Sequence, residues 1–228
     1  MRNKIQLFAA LFLFSLLSAQ SVTLSRAERV GENKDKFLYL IDSLSKGETY
    51  LGEIEVHGFS TQDAEVFSQI YKKAKTIKAN GFKLKEREML GGEPPQINTS
   101  HYILELYDLK EKPKYSNLVV LFSSSDKEQK VRINEKIYVM SPRSYIAIQL
   151  RPQEVYSLRV GGLLGSKILL SYKENQPVQY FQVLRSGIRA DQSGNQGGLT
   201  IKSGDIIGLE RSYAEFLKTI YKKMEEGE

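Results

Sequence analysis

The 228-residue chain holds only two histidines, His57 and His101, and imidazole is the side chain best suited to acid-base and metal chemistry near neutral pH. Both fall in segments of strand character, so they can be neighbours in one sheet. A two-histidine metal site needs a third ligand, such as Glu55 or Glu105, and no zinc-type spacing accompanies them. They are read as ordinary strand-end histidines, with no metal and no cofactor expected. Cysteine is absent, which removes thiolate ligands, a cysteine nucleophile and a disulfide framework together. A serine hydrolase would call for G-x-S-x-G, which does not occur, and Ser123-Ser124-Ser125 falls where a hairpin turn is expected. Gly91-Gly92, Gly161-Gly162 and Gly194 to Gly198 lack the following Lys-Ser/Thr of a phosphate loop and read as turns. No catalytic residue is assigned.

Arg185, Arg189 and Lys202 bracket a stretch rich in Gly, Ser, Asn and Gln. They are the candidate binding residues, able to meet an anion or a peptide if the loop folds back. Nucleic acid is not expected, because Lys and Arg are interleaved with Glu almost throughout. The formal charge of +6 is only mildly basic. Tyrosines at 102, 107, 138, 145, 156, 172 and 180 fall in expected strands, where such rings serve a packed sheet or a protein interface.

These groups need elements to position them. Arg2 and Lys4 precede an apolar run from Leu7 to Leu17 that ends in Ser18-Ala19-Gln20-Ser21, the layout of a cleavable signal peptide over residues 1–21. The run is too short to span a bilayer comfortably. Export to a bacterial periplasm or beyond is expected, with no transmembrane segment in the mature chain. Phe37, Leu40, Ile41 and Leu44 recur at helical spacing and predict a short docking helix over 36–44. Residues 48–58 alternate as a strand. Ala64, Phe67, Ile70, Ala74 and Ile77 then predict a helix over about 61–79, closed by a left-handed cap at Asn80-Gly81. Strands follow at 82–85 and 101–109, so residues 22–112 read as a small α/β segment. The run from Val56 to Leu84 resembles the strand-helix-strand segment of small bacterial envelope proteins.

From 113 to 228 the character changes to short strands, at 118–122, 131–133, 137–140, 145–150, 155–160, 167–172 and 178–184, a rhythm that suits an antiparallel β-sandwich. Residues 185–204 read as a long mobile loop around a short strand at 199–201. Leu209, Tyr213, Phe216, Leu217, Ile220, Tyr221 and Met224 predict a closing helix. The segment VRINEKIYVMSPRSYIAIQLRPQEVYSLRV, with its hairpin Ile133-Asn134-Glu135-Lys136 and its turn Arg151-Pro152-Gln153-Glu154, resembles the PEGA-like and DUF2846-like β-domains of bacterial envelope proteins. That pattern usually places glycine where Gln153 stands. The resemblance covers about residues 118–184 and implies a surface or binding module with no reaction.

The fold class expected is α+β: a small α/β layer, then an antiparallel β-sandwich with a C-terminal helix. The function expected is a soluble, non-enzymatic structural or interaction subunit of the bacterial envelope, periplasmic or extracellular, whose partners are other envelope proteins or an assembly. An accessory subunit of a periplasmic or surface filament, such as a flagellar sheath, is one concrete form. A periplasmic ligand-, glycan- or peptidoglycan-binding protein is the alternative, as is a hydrolase with a cleft between the two halves.

Overall fold

In the computed structural model the described residues are 20–42, 47–85, 98–112, 116–162, 165–191 and 198–224, with backbone alone for 185–191 and 198–203. The expected signal peptide lies, but for its last two residues, outside them. The fold is β-rich, with three sheets and two helices among the described residues. Neither helix is long and apolar enough to cross a membrane. The chain divides into two compact units, Met1–Glu111 and Lys112–Glu228.

The first unit holds a five-stranded sheet. Its strands are β1 (Ser21–Ala27), β2 (Tyr39–Leu40), β3 (Thr49–His57), β4 (Gly81–Leu84) and β5 (His101–Asp108), in the spatial order β1-β3-β5-β4-β2. Alternation along β3 buries Ile54 and Val56, and along β5 it buries Tyr102, Leu104 and Leu106. Helix α1 (Asp63–Thr76) carries Val66, Phe67, Ile70 and Ala74 as its buried stripe. The opposite face of the sheet is left to Glu53, Glu55, His57, His101 and Glu105, because successive strand residues point to opposite sides.

Several expectations fail here for local reasons. Residues 36–44 form no helix where described: Tyr39 and Ile41 donate their N–H groups to Asn80 O and Phe82 O, making β2 a parallel neighbour of β4. Leu38 and Tyr39 are both buried, so the run is apolar because it is covered on two sides. Lys75 holds this segment in place, its Nζ donating to Asp35 O, Phe37 O and Ala79 O at 2.8–2.9 Å. The left-handed residue after α1 is Lys78 (φ 56°), not Asn80 or Gly81. Asn80 instead is buried, with work to do on β5.

In the second unit, β6 (Leu118–Phe122), β9 (Ser144–Gln149), β12 (Gln179–Asp191), β13 (Gly198–Gly208) and β14 (Lys222–Lys223) form one sheet in the order β13-β12-β6-β9-β14. The other contains β7 (Gln129–Ile133), β8 (Lys136–Met140), β10 (Val155–Val160) and β11 (Lys167–Ser171), ordered β11-β10-β7-β8. One core cluster draws on both: Val119, Leu121, Ile146, Ile148 and Val183 from the first, Val131, Met140, Leu158, Val160 and Leu170 from the second. The five-stranded sheet is mixed rather than antiparallel, since β12 runs parallel to β6 and β14 parallel to β9. Both strands return from elsewhere in the unit, β12 after β10 and β11 of the other sheet and β14 after a helix, and such crossovers permit parallel pairing.

The expected loop at 185–204 is also corrected. Its described residues continue β12 and β13 as a long antiparallel ladder that reaches Asp191 opposite Gly198; residues 192–197 lie outside the description. Backbone pairing makes this ladder, so a composition of Gly, Ser and Asn hid it. Helix α2 spans Arg211–Ile220, shorter than the apolar stripe suggested. Tyr221 leaves it in extended conformation, and Lys222 N and Met224 N donate to Arg143 O and Tyr145 O of the β9 side.

The hairpin expected at 133–136 is present, with Ile133 opposite Lys136 and Asn134 at φ 52°. Gln153, standing where the resemblance favours glycine, takes φ 67°. A left-handed non-glycine residue costs about 1 kcal/mol. Gln153→Gly is expected to raise the stability of the second unit by up to about that amount, read as a higher urea midpoint with unchanged slope; no gain would mean the Gln153 side chain repays the strain.

Candidate functional site

The polar face of the first unit's sheet gathers most of that unit's chemistry. Register sets His57 directly opposite His101 and Glu53 opposite Glu105. Glu55 precedes His57 by two residues and shares its face. One oxygen, Glu55 Oε1, lies 2.9 Å from His57 Nε2 and 2.7 Å from His101 Nε2. The two imidazoles stack with centroids 4.1 Å apart and planes 18° apart. The hydrogen bond from His101, with His57 also beside it, holds the Glu55 carboxyl below its ordinary range. The cluster faces solvent, with side-chain exposures of 28% for Glu55, 33% for His101 and 51% for His57.

Further along the same face, Glu53 Oε1 accepts from Lys85 Nζ at 2.6 Å and from Tyr50 OH at 3.0 Å. The Lys85 bond keeps the Glu53 carboxyl low. Burial, with the bond to Glu53, pushes the Tyr50 phenol up to about 12. Tyr107 is raised by burial and by donating to Glu105 Oε2 at 2.8 Å. The two rings meet edge to face at 5.7 Å. These pairs tie β3, β4 and β5 together. They leave the Glu55–His57–His101 group as the place where ligand atoms converge.

The second candidate is the outward face of the four-stranded sheet. Ile137, Arg132, Arg159 and Lys167 are successive partners across β8, β7, β10 and β11, and Val139 pairs with Lys130. The partner side chains Val131, Met140, Leu158 and Leu170 point into the core, so this row points away from it. Among the exposed large hydrophobic residues, Ile137, Val139, Val155 and Leu169 all belong to this sheet. Its four strands read QKVRI, KIYVM, VYSLRV and KILLS, without one acidic residue. The expected interleaving of Lys and Arg with Glu therefore breaks down in space: Glu135 sits in the β7–β8 turn and Glu154 just before β10. The signal in the sequence is four strands that carry cations and no acid, with Lys130 and Arg132 at alternate positions of β7.

Arg185, Arg189 and Lys202 are placed by backbone register only. Arg185 is opposite Gly204, Lys202 opposite Gly187 and Arg189 opposite Thr200, so the three occupy positions of one parity on the β12–β13 ladder. The two histidines, expected as ordinary strand-end residues that can be neighbours in one sheet, are set directly opposite each other. Comparison with family models, with curated proteins and with solved structures finds no match for this chain.

Proposed function

We propose that this chain is an exported, non-enzymatic interaction subunit of a bacterial envelope, and that it docks an acidic protein partner on the outward face of β7, β8, β10 and β11. In this reading the two sheets of the second unit form a sandwich around their common core, and the sandwich displays that face. The observation that carries the proposal is the like-charge row: Arg159 lies between Arg132 and Lys167 as a direct cross-strand neighbour of both. Like charges directly opposite cost roughly 0.2–1 kcal/mol each in a sheet, and a local cost of this kind is characteristic of functional surface. Ile137, Val139, Val155 and Leu169 flank the cations with exposed aliphatic area, the mixture expected of a protein interface with a charged rim.

Arg159→Glu separates folding from binding. It converts two repulsive neighbours into two attractive ones, so the melting midpoint is expected to stay level or rise. Partner binding, read by crosslinking of the full chain in envelope fractions and by the affinity of the captured partner, is expected to fall about tenfold or more. A wild-type chain recovered alone as a monomer, or an Arg159→Glu chain that crosslinks equally well, would overturn the proposal. An anionic cell-wall glycan is the second reading, favoured by the same acid-free face. Sedimentation with isolated cell walls that is lost in Arg159→Glu, without any protein crosslink, selects it.

A further inference from the structure

We infer that Glu55, His57 and His101 form a binding site for a single divalent transition ion of the zinc class, on the polar face of the first unit's sheet and independent of the docking face proposed above. The sequence builds it in two steps. The run Glu53-Ile54-Glu55-Val56-His57 puts the three polar residues on one face of β3 while Ile54 and Val56 enter the core. The β3–β5 register then sets His101 opposite His57.

The three ligand atoms lie within 4.8 Å of one another. Two imidazole nitrogens and one carboxylate oxygen are a set found around zinc that keeps an open position, and the nitrogens disfavour calcium and magnesium, which take oxygen ligands. Ligand atoms about 2.0–2.2 Å from a tetrahedral ion are about 3.3 Å apart. The Nε2–Oε1 separations of 2.9 and 2.7 Å therefore need to open by only about half an ångström. Strand backbones hold all three Cα positions, and χ rotations that unstack the two imidazoles, now 18° from parallel, turn both Nε2 atoms toward one ion. On binding, Nε2 of each ring gives up to solvent the proton with which it donates to Glu55 Oε1, the remaining ring proton sits on Nδ1, and the freed Nε2 lone pairs face the ion. Three protein ligands leave at least one position for water or an exogenous ligand, and the exposure of His57 gives it access. Thr23 is the cross-strand neighbour of Glu55, so β1 flanks the site with a hydroxyl side chain.

Because the chain contains only two histidines, the test reads the site directly. The full mature chain, with any purification tag removed, is titrated with Zn2+ alone by calorimetry and followed by long-range 1H–15N NMR of the imidazoles. One equivalent is expected to bind, with the Nε2 resonances of both rings shifting together; Co2+ at the same site is expected to give visible bands of four- or five-coordinate intensity. Glu55→Gln and His57→Gln are each expected to weaken binding by at least about tenfold, the scale on which even outer contacts of a metal act. Glu105→Gln, on the same face but bonded to Tyr107, is expected to leave it unchanged. Absence of saturable one-equivalent binding, imidazole resonances that ignore saturating Zn2+, or a Glu105→Gln loss equal to that of Glu55→Gln would each overturn the assignment. The wild-type spectrum needs no variant, so a misfolded substitution cannot mask the result.

Discussion

Asn80→Ala is expected to destabilise the first unit by about 2–3 kcal/mol, the range for orphaning a buried backbone donor together with the loss of packing. Asn80 is 1% exposed and acts as an extra length of strand beside β5. Its Oδ1 accepts from Leu109 N at 2.7 Å and its Nδ2 donates to Leu109 O at 3.1 Å. Its own backbone N–H donates to Tyr107 O, and its carbonyl accepts from Tyr39 N. Leu109 O keeps a second donor in Asn33 Nδ2 at 3.2 Å, so the loss in the alanine variant falls on the Leu109 amide. That amide is where amide hydrogen exchange should accelerate most. Asn80→Asp keeps the acceptor for Leu109 N but turns a carboxylate oxygen toward Leu109 O. It should be at least as damaging at neutral pH and partly recover in acid, where the protonated carboxyl donates again. Unchanged Leu109 exchange in the alanine variant would remove this account.

The second large effect is expected at Gly52, where alanine should cost about 2–3 kcal/mol as overpacking. A Cβ there would stand 2.2 Å from Arg26 O and 3.0 Å from Arg26 C. Both obstacles are backbone, so no flexible side chain can yield. Gly52 also marks the point where β3 slips register toward β5, between Tyr50 and Gly52, and β1 slips close by, between Leu24 and Arg26, opposite Ile54 and Glu53. Such a bulge changes which residues share a face. Past it, Glu53, Glu55 and His57 line up with Glu105, Ile103 and His101. Gly52→Ala is therefore expected to lower the thermal midpoint of the first unit and to release the Glu28 amide, now 2.8 Å from Leu51 O, to exchange. A variant with wild-type melting and wild-type Glu28 protection would show that β1 can move aside at no cost.

Much of the element order is legible in the sequence because one-sided burial writes its period into the chain. The stripe Phe67, Ile70, Ala74 marks α1, and the short alternating strands from 118 to 184 appear close to their expected limits. β1 is hidden because its first residue, Ser21, closes the segment that reads as a signal peptide and its cleavage site, leaving only a short alternation around Val22 and Leu24. Residues 36–44 misled because an apolar run covered on two sides imitates helical spacing. The β12–β13 ladder is held by main-chain pairing, which leaves little trace in side-chain composition. For the site, the residue types and the prospect of two neighbouring histidine strands are legible, and the exact register is not. His57, His101 and the candidate third ligand Glu55 are recognisable one by one, but only register, set in part by the bulge at Gly52, converts three strand residues into one cluster. The cation row is the opposite case: four strands without an acid, one of them with the alternate cations Lys130 and Arg132, are visible in the sequence, and only the averaging of charge over the whole chain conceals them.

The two-residue strand β14 covers part of one edge of the second unit's five-stranded sheet. β9 pairs on one side with β6, and on the other its start is covered by Lys222 and Lys223, while Met224 anchors the segment in the core. A strand with open amides and carbonyls is a template for a foreign chain, and a short, lysine-bearing cover is among the ways proteins blunt it. The segment after α2 thus works as a latch. Clipping it between Ile220 and Lys222 is expected to leave the helix and most of the core in place yet uncover a length of β9 to pairing with another strand, an exposure set by a few residues that contribute little to the fold's bulk.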